Sequence, residues 1–125
     1  MTTEIHAYKR IAGEAIFEIG RRLKHVKDKK LAESHGGWTV WLREIEMSTS
    51  QADRFLQVIA RVRPDELPHV GNLGLRLLYE IALVSPEDRK RPHTISSTGA
   101  TKTVDEMTVR ELREVKAVFL TGNYR

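Results

Sequence analysis

The chain has 125 residues, of which 40% are hydrophobic and 30% are charged, and its formal net charge is +4. This length predicts one domain that buries about two thirds of the surface of its unfolded chain and folds without covalent cross-links. Cysteine is absent, which excludes disulfides and thiolate metal sites. The sequence contains no signal-peptide core and no apolar run of about 18 residues, so we expect a cytoplasmic protein with no membrane partner.

The first predicted element is a long helix from about Glu4 to Ala32. At about 1.5 Å per residue it would extend about 40 Å, which is more than a globule of this size needs. We therefore expect part of its apolar stripe to contact a second subunit in a homodimer. Gly13 and Gly20, on or near this stripe, predict a bend or a close helix crossing. The stripe consists of Ile5, Tyr8, Ile11, Ala12, Ala15, Ile16, Ile19, Leu23 and Val26.

The end of this helix is strongly basic, with Asp28 as the only acid among six cations. Such a cluster can lie on the phosphates of nucleic acid and would make binding sensitive to salt. Cations near a helix C terminus also complement the helix dipole, and this second interpretation does not exclude the first. The six predicted phosphate contacts are Arg21, Arg22, Lys24, Lys27, Lys29 and Lys30.

Residues 38–62 predict two short helices joined by a tight turn. In the first helix, apolar residues at i, i+3, i+4 and i+7 define one buried face about two turns long. Ser48 followed by Gln51 fits a capping box that begins the second helix, and Pro64 ends it. The core-facing residues are Trp38, Trp41, Leu42 and Ile45 in the first helix, and Ala52, Phe55, Leu56, Ile59 and Val62 in the second.

Only Glu46, Met47 and Ser48 separate these two helices, which predicts a steep crossing and a helix-turn-helix-like unit over about Trp38–Val62. Two residues depart from many examples of that unit. Glu46 stands in the turn where glycine is frequent, and Leu42 stands in the first helix where alanine is frequent. These departures leave two alternatives open, a distorted turn and a use of the unit other than DNA binding.

The outward face of the second helix is polar and suits contacts with base edges and phosphates. Arg54 and Gln57 are the strongest candidates for base contacts on this face. The alternative is an ordinary solvated face, such as surface helices usually have. The predicted DNA-binding residues of this helix are Thr49, Ser50, Arg54, Gln57 and Arg61, and Asp53 also faces outward.

The second half of the chain predicts further helices around one loop. Asn72 is the expected cap of a strongly apolar helix from Leu73 to Val84, and Ser85 with Pro86 begins a short turn of helix. Residues 91–103 are rich in Ser and Thr and have no apolar period, which predicts a flexible surface loop. Four cations near this loop could contact phosphates, although a solvated loop is the favoured interpretation: Arg89, Lys90, Arg91 and Lys102.

Two capping boxes predict that order returns after the loop. They pair Thr103 with Glu106 and Thr108 with Glu111, and the second begins a helix that runs to about Leu120. This helix can pack on its own chain or on a second subunit, because the preceding loop is long enough for either. The short chain favours packing on its own chain.

The sequence contains no visible catalytic or metal-binding constellation. None of the five histidines lies beside a serine nucleophile in a recognisable context. His25 and His35 have no second histidine or carboxylate at metal-ligand spacing. Gly36 and Gly37 are not followed by the GK[ST] of a phosphate-binding loop. We therefore predict a protein that is not an enzyme and that has no metal and no cofactor.

Four short sequence patterns occur in this chain, each of them once. They are IG-x-x-L at Ile19, Gly20 and Leu23; HG-x-(F/W)-x-x-WL at His35, Gly36, Trp38, Trp41 and Leu42; a serine-initiated helix with A-x-RF at Ser48, Ala52, Arg54 and Phe55; and RELRE at Arg110, Glu111, Leu112, Arg113 and Glu114. In these patterns, over most of its length, the chain resembles a poorly characterised family of small all-helical phage and mobile-element proteins. The resemblance implies a phage or mobile-element context and no particular activity.

The sequence thus predicts an all-α, compact multi-helix protein, a single helical domain over residues 1–125. Two functions fit it. The first, which we favour, is a dimeric protein that binds double-stranded DNA in the regulation, replication or packaging of mobile DNA. The second is a phage-encoded inhibitor or adaptor whose polar helix face and basic cluster contact a host or defence protein, without sequence-specific DNA binding.

Overall fold

Helices make up most of the computed structural model, which describes residues 1–66 and 73–120 except for the side chains of residues 6, 10, 119 and 120. The predicted all-α class is confirmed. The elements are α1 (Thr2–Asp28), a 3-10 helix (Leu31–His35), α2 (Trp38–Glu44), α3 (Thr49–Arg61), α4 (Leu75–Ala82), α5 (Pro86–Lys90), β1 (His93–Thr94), β2 (Thr101–Lys102), another 3-10 helix (Val104–Glu106) and α6 (Val109–Leu120).

The long first helix ends earlier than predicted. It stops at Asp28 rather than Ala32, because Lys30 takes a left-handed conformation with φ of 55°. Residues 27–30 are all exposed, so no packing holds another turn of α1 in place. After this break Ala32 turns inward and is buried, and Gly36 reverses the chain with φ of +92° toward α2.

Helix α1 crosses α3 closely and runs antiparallel to it. Phe17 packs in the same cluster as Val58 near the end of α3, whereas Leu23 packs in the same cluster as Ala52 near its beginning. Between them, a Cβ atom on Gly20 would lie 2.4 Å from Cγ2 of Ile59. The close crossing predicted at this glycine is therefore confirmed. The basic end of α1 consequently lies at the N-terminal end of α3.

The larger core cluster joins α3, α4 and α6. Leu78 and Ile81 of α4 are fully buried, and so is Leu112 of α6. Helix α6 therefore packs on its own chain, which is the favoured of the two arrangements predicted from the sequence. Helix α4 is shorter than the predicted Leu73–Val84, and the predicted cap Asn72 lies outside the described residues.

Local capping explains where the later helices begin. The Thr108 N–H donates to the Glu111 carboxylate at 2.9 Å, and the Glu111 N–H donates to the Thr108 hydroxyl at 3.1 Å. The Thr103 capping box and the Ser85 cap are formed as well. These caps confirm the predictions made from residue type and spacing alone.

The segment predicted as a flexible loop over residues 91–103 contains a small antiparallel hairpin. His93 pairs with Lys102, and Thr94 pairs with Thr101. Ile95, which follows the first strand, is fully buried in the main core cluster. A single apolar residue has no sequence period, and for this reason the sequence pattern does not predict the hairpin. Lys102 donates to the carboxylate of Glu111 at 3.2 Å instead of projecting freely.

Arg89 is a buried structural residue, contrary to the phosphate contact considered from the sequence. Only 2% of its surface is exposed. Its guanidinium donates to the Arg61 carbonyl at the end of α3 and pairs with the Glu66 carboxylate at 3.1 Å. Three further carbonyls at the end of α4 accept from the same group, those of Ile81, Ala82 and Val84. This side chain therefore joins the C-terminal ends of α3 and α4.

Candidate nucleic-acid interface

The turn between α2 and α3 is a Schellman motif. The Glu46 N–H donates to the Arg43 carbonyl at 3.1 Å, and the Met47 N–H donates to the Leu42 carbonyl at 2.9 Å. Glu46 has φ of 57°, the left-handed conformation that glycine adopts most easily. The turn thus has regular geometry, although glutamate occupies the position where glycine is frequent.

The bulky residue in α2 is accommodated by a small residue in α3. Leu42 and Ala52 are both fully buried and pack in one cluster with Phe55 and Leu23. Met47 lies against the same cluster from the turn. Because Ala52 leaves room for Leu42, the departure from alanine in the first helix does not keep α2 away from α3.

The outward face of α3 is accessible along most of its length. The Ser48 hydroxyl caps the helix by accepting from the Gln51 N–H at 3.0 Å. Thr49, Ser50, Asp53 and Arg61 are exposed, while Gln57 is half-buried. Arg54 is exposed as well, so four of the five residues predicted to bind DNA from this helix are exposed. Gln57 is the fifth and the least accessible.

Arg54 lies at the edge of this face, on the side toward α4. Its guanidinium carbon is 5.9 Å from the centre of the Tyr79 ring, within the range of a cation–π contact. Arg54 also lines an open groove of about 590 Å³ between α3 and α4. Two further arginines line the same groove, Arg76 from α4 and Arg113 from α6.

Neither Arg76 nor Arg113 is among the site residues predicted from the sequence. Arg76 is an isolated cation in an apolar helix, and Arg113 belongs to the RELRE pattern near the end of the chain. They line one groove because α4 and α6 pack together in the core. Their spacing in the sequence contains no signal of this proximity.

Among the described residues that line the groove, Glu80 has the only carboxylate, and this group is already paired. Lys116 donates to Glu80 at 2.7 Å, and Arg113 lies 3.5 Å from the other carboxylate oxygen. Burial raises the pKa of Glu80, but the hydrogen bond and charge of Lys116 and the charge of Arg113 lower that pKa more, so the carboxylate is ionised. Within residues 1–66 and 73–120, Arg54 and Arg76 pair with no carboxylate. The groove therefore keeps an excess of positive charge.

The six cations near the end of α1 divide into two groups. Arg21 and Arg22 pair with Glu18, and Lys24 pairs with Asp28, whose pKa is lowered first by its hydrogen bond from Lys24. The other three are Lys27, Lys29 and Lys30. The Lys27 ammonium lies 5.5 Å from the centre of the Trp38 ring, and Lys29 and Lys30 are exposed and form no ion pair with a described residue.

These placements put three arginines in the groove on one side of α3, whereas Lys27 and Lys30 lie beside the start of α2 and line a pocket with Gly37 and Trp38. Helix α3 packs on α1 along one side and on α4 along the other. Because α1 and α3 are antiparallel, Lys27, Lys29 and Lys30 lie toward the N-terminal end of α3. The groove with Arg54 lies at that end on the opposite side, since Ser48 and Gln51 also line it.

The fold defines a small all-α protein with a regular turn between two helices, the second of which exposes a polar face. The chain belongs to the family described as "Protein of unknown function (DUF3102)", whose model matches residues 1–72. That range contains α1, α2 and α3, and with them three of the four sequence patterns; the RELRE pattern lies beyond it. No curated protein and no solved structure gave a significant match.

No helix in the described ranges is both long enough and apolar enough to cross a membrane.

Proposed function

We propose that the protein binds double-stranded DNA by inserting α3, from its N-terminal end to about Gln57, into the major groove. The observation that carries this proposal is the exposed polar face of α3, which has a groove lined by arginines on its α4 side and the basic end of α1 toward its N-terminal end. A B-form major groove is about 12 Å wide and admits one helix, and phosphates border it on both sides. Hydroxyl and amide groups on α3 can then contact base edges while the neighbouring cations contact phosphates.

In this proposal different residues make the base and phosphate contacts. Ser50 and Gln57 supply hydrogen-bonding groups on the outward face, together with Thr49 near the helix start. Arg54 can contact a base edge or a phosphate, because its side chain lies at the edge of that face. The proposed phosphate contacts are Arg76 and Arg113 on the α4 side, and Lys27, Lys29 and Lys30 on the α1 side.

The biological setting is part of the same proposal. The resemblance drawn from the four sequence patterns implies phage or mobile-element proteins, and the proposed roles are regulation, replication or packaging of such DNA. Binding should weaken steeply with salt, because each phosphate contact changes the slope of log affinity against log salt by about −0.9. Three or more such contacts would give a slope clearly steeper than about −2.

Selection from a random duplex library tests the proposal, and we expect one short sequence to be enriched. Arg54→Ala combined with Gln57→Ala should weaken binding of that duplex by about tenfold or more for each base-edge hydrogen bond it removes, with unchanged helix content by circular dichroism. Lys90→Ala is the matched control, because it removes one exposed cation far from the proposed DNA contacts. Lys90 is next to Arg89, which contacts the C-terminal end of α3. The control should change affinity by about twofold at most.

Two results would reject the proposal. One is a library selection that enriches no sequence while the protein co-purifies with a defined protein partner, as the inhibitor or adaptor alternative predicts. The other is an enriched duplex that the double variant binds as tightly as the wild-type protein does. The second result would locate DNA binding on another face of the molecule.

A further inference from the structure

A second apolar stripe of α1 lies outside the core. The core-facing residues of this helix include Phe17, Gly20 and Leu23, which are buried. Ile5 and Tyr8, by contrast, are 50% and 72% exposed, and Ile19 is 37% exposed. Large apolar side chains at regular intervals on one exposed helix face are unusual in a monomer and typical of an interface.

The exposed stripe follows the heptad spacing of a coiled coil. Its members are separated alternately by three and four residues, which places them at a and d positions. Of the three exposed isoleucines of α1, Ile5 and Ile19 fall at a positions, which β-branched side chains often occupy in parallel two-stranded coiled coils, and Ile11 falls at the neighbouring g position. Alanines fill the central positions and allow the two helices to approach closely. The register is Ile5 (a), Tyr8 (d), Ala12 (a), Ala15 (d) and Ile19 (a).

Charges beside the stripe match a parallel orientation. In this register Glu4 is at a g position and Lys9 is at the e position five residues later. Residues with that spacing face each other across a parallel coiled coil, so Glu4 of one copy would pair with Lys9 of the other, twice per dimer. In an antiparallel pair, g positions face g positions and e positions face e positions, so these two pairs would not form.

We propose that the exposed stripe of α1 is the interface of a parallel homodimer, in which the occupant is the same helix of a second copy. The second half of α1 is anchored in the core, so the helix is already formed and little ordering cost opposes association. This inference does not depend on DNA binding. It does place the N-terminal ends of both α3 helices at the same end of the dimer, since each lies near the C-terminal end of α1.

Sedimentation equilibrium over a range of concentrations tests the interface. We expect the wild-type protein to reach twice the chain mass of 14.3 kDa. Ile5→Asp combined with Tyr8→Asp should remain monomeric at the same concentrations and keep its helix content, because both side chains are exposed. The matched control is Ile45→Asp, which changes an isoleucine that is 43% exposed but lies outside the stripe, and it should still dimerise.

Charge reversal tests the orientation. Glu4→Lys alone and Lys9→Glu alone each place like charges across the interface and should raise the dissociation constant about fivefold. A mixture of these two single variants should form heterodimers, because both cross-helix pairs are then opposite in charge. The variant that carries both changes should dimerise like the wild-type protein.

Three results would overturn the proposal. If the wild-type protein remains monomeric at all concentrations, the homodimer is excluded. The same holds if the stripe binds an unrelated protein while the wild-type protein stays monomeric. A dimer that survives Ile5→Asp with Tyr8→Asp uses another face. A dimer that is abolished by these apolar changes but is unaffected by the charge reversals is not the parallel one.

Discussion

The two ends of α3 differ in how their arginines are used. At the C-terminal end, Arg89 is buried, and its guanidinium donates to carbonyls of α3 and α4 and to the Glu66 carboxylate. At the N-terminal end, Arg54 and Arg76 line an open groove and pair with none of the described carboxylates. The same residue type is thus fully bonded inside the protein at one end of the helix and without a carboxylate partner among the described residues at the other.

Burial and donor use, rather than the number of cations, separate a structural arginine from one that is free to contact a ligand. An arginine whose donors are all occupied inside the protein cannot contact a phosphate without first breaking those bonds. An arginine whose donors face solvent can bind a phosphate with less disruption. We therefore expect changes at the C-terminal end of α3 to affect stability and changes at the N-terminal end to affect DNA binding.

The largest effect on stability is expected at the C-terminal end of α3, where Arg89 is buried. Arg89→Ala would leave the Glu66 carboxylate without its partner and remove the donor to four carbonyls, so it should lower the free energy of unfolding by about 3–5 kcal/mol. Urea unfolding measures this decrease. Lys90→Ala, at the exposed neighbouring position, should change stability by less than about 0.5 kcal/mol. An Arg89→Ala protein as stable as that control would contradict the role given to Arg89.

A smaller effect should depend on pH. Because the folded-state pKa of Glu80 lies below its ordinary value of 4.5, its contribution to stability is complete above that value and is lost as pH falls through the lowered pKa. Glu80→Gln should therefore be less stable than the wild-type protein near neutral pH, by at most about 1 kcal/mol. Urea unfolding, measured near neutral pH and again at a pH below the lowered pKa of Glu80, should show that the stability difference between the two proteins is smaller in acid. An equal difference at both would exclude the ion pairs as its cause.

A substitution in the turn before α3 should have the opposite effect and raise stability. Glu46→Gly places the residue that best tolerates φ of 57° in the left-handed position of the Schellman motif. It should raise the free energy of unfolding by up to about 1 kcal/mol. Glu44→Gly, inside the end of α2, is the matched control and should lower stability instead. A destabilising Glu46→Gly would mean that the glutamate side chain makes a stabilising contact there.

The smallest effect on stability is expected for the groove arginines. Arg54→Ala combined with Arg76→Ala should change the free energy of unfolding by less than about 0.5 kcal/mol, because neither guanidinium is buried in an ion pair. The same change should make the salt slope of DNA binding shallower by about 2. A destabilisation like that of Arg89→Ala would show that the two ends of α3 are alike after all.

The sequence predicted the features that depend on neighbouring residues. Ser48, Thr103 and Thr108 were recognised as caps because a cap requires only a suitable residue and a fixed spacing. Periodicity likewise located α1, α2 and α3, although the predicted end of α1 lay beyond the observed one at Asp28. Nothing local signals a left-handed Lys30.

The sequence could not predict features that require distant segments to meet. In the sequence, Arg89 is only a cation at the end of a short helix. Its structural role comes from the carbonyls of α3 and α4 that surround it in the fold. Arg76 and Arg113 belong to one groove only because α4 and α6 are packed together. Ile95 looked like an isolated residue in a polar loop and is part of the core. Each of these roles depends on tertiary packing, which residue spacing does not encode.

A map of where DNA lies on the protein tests the proposed mode of binding most directly. Amide hydrogen exchange or NMR chemical-shift changes, measured with the selected duplex, should concentrate at the beginning of α3, at the end of α1 and beside the groove arginines. The C-terminal end of α3, around Arg89, should be unaffected. A footprint confined to the exposed stripe of α1 or to the hairpin, with α3 unchanged, would contradict the proposed mode of binding.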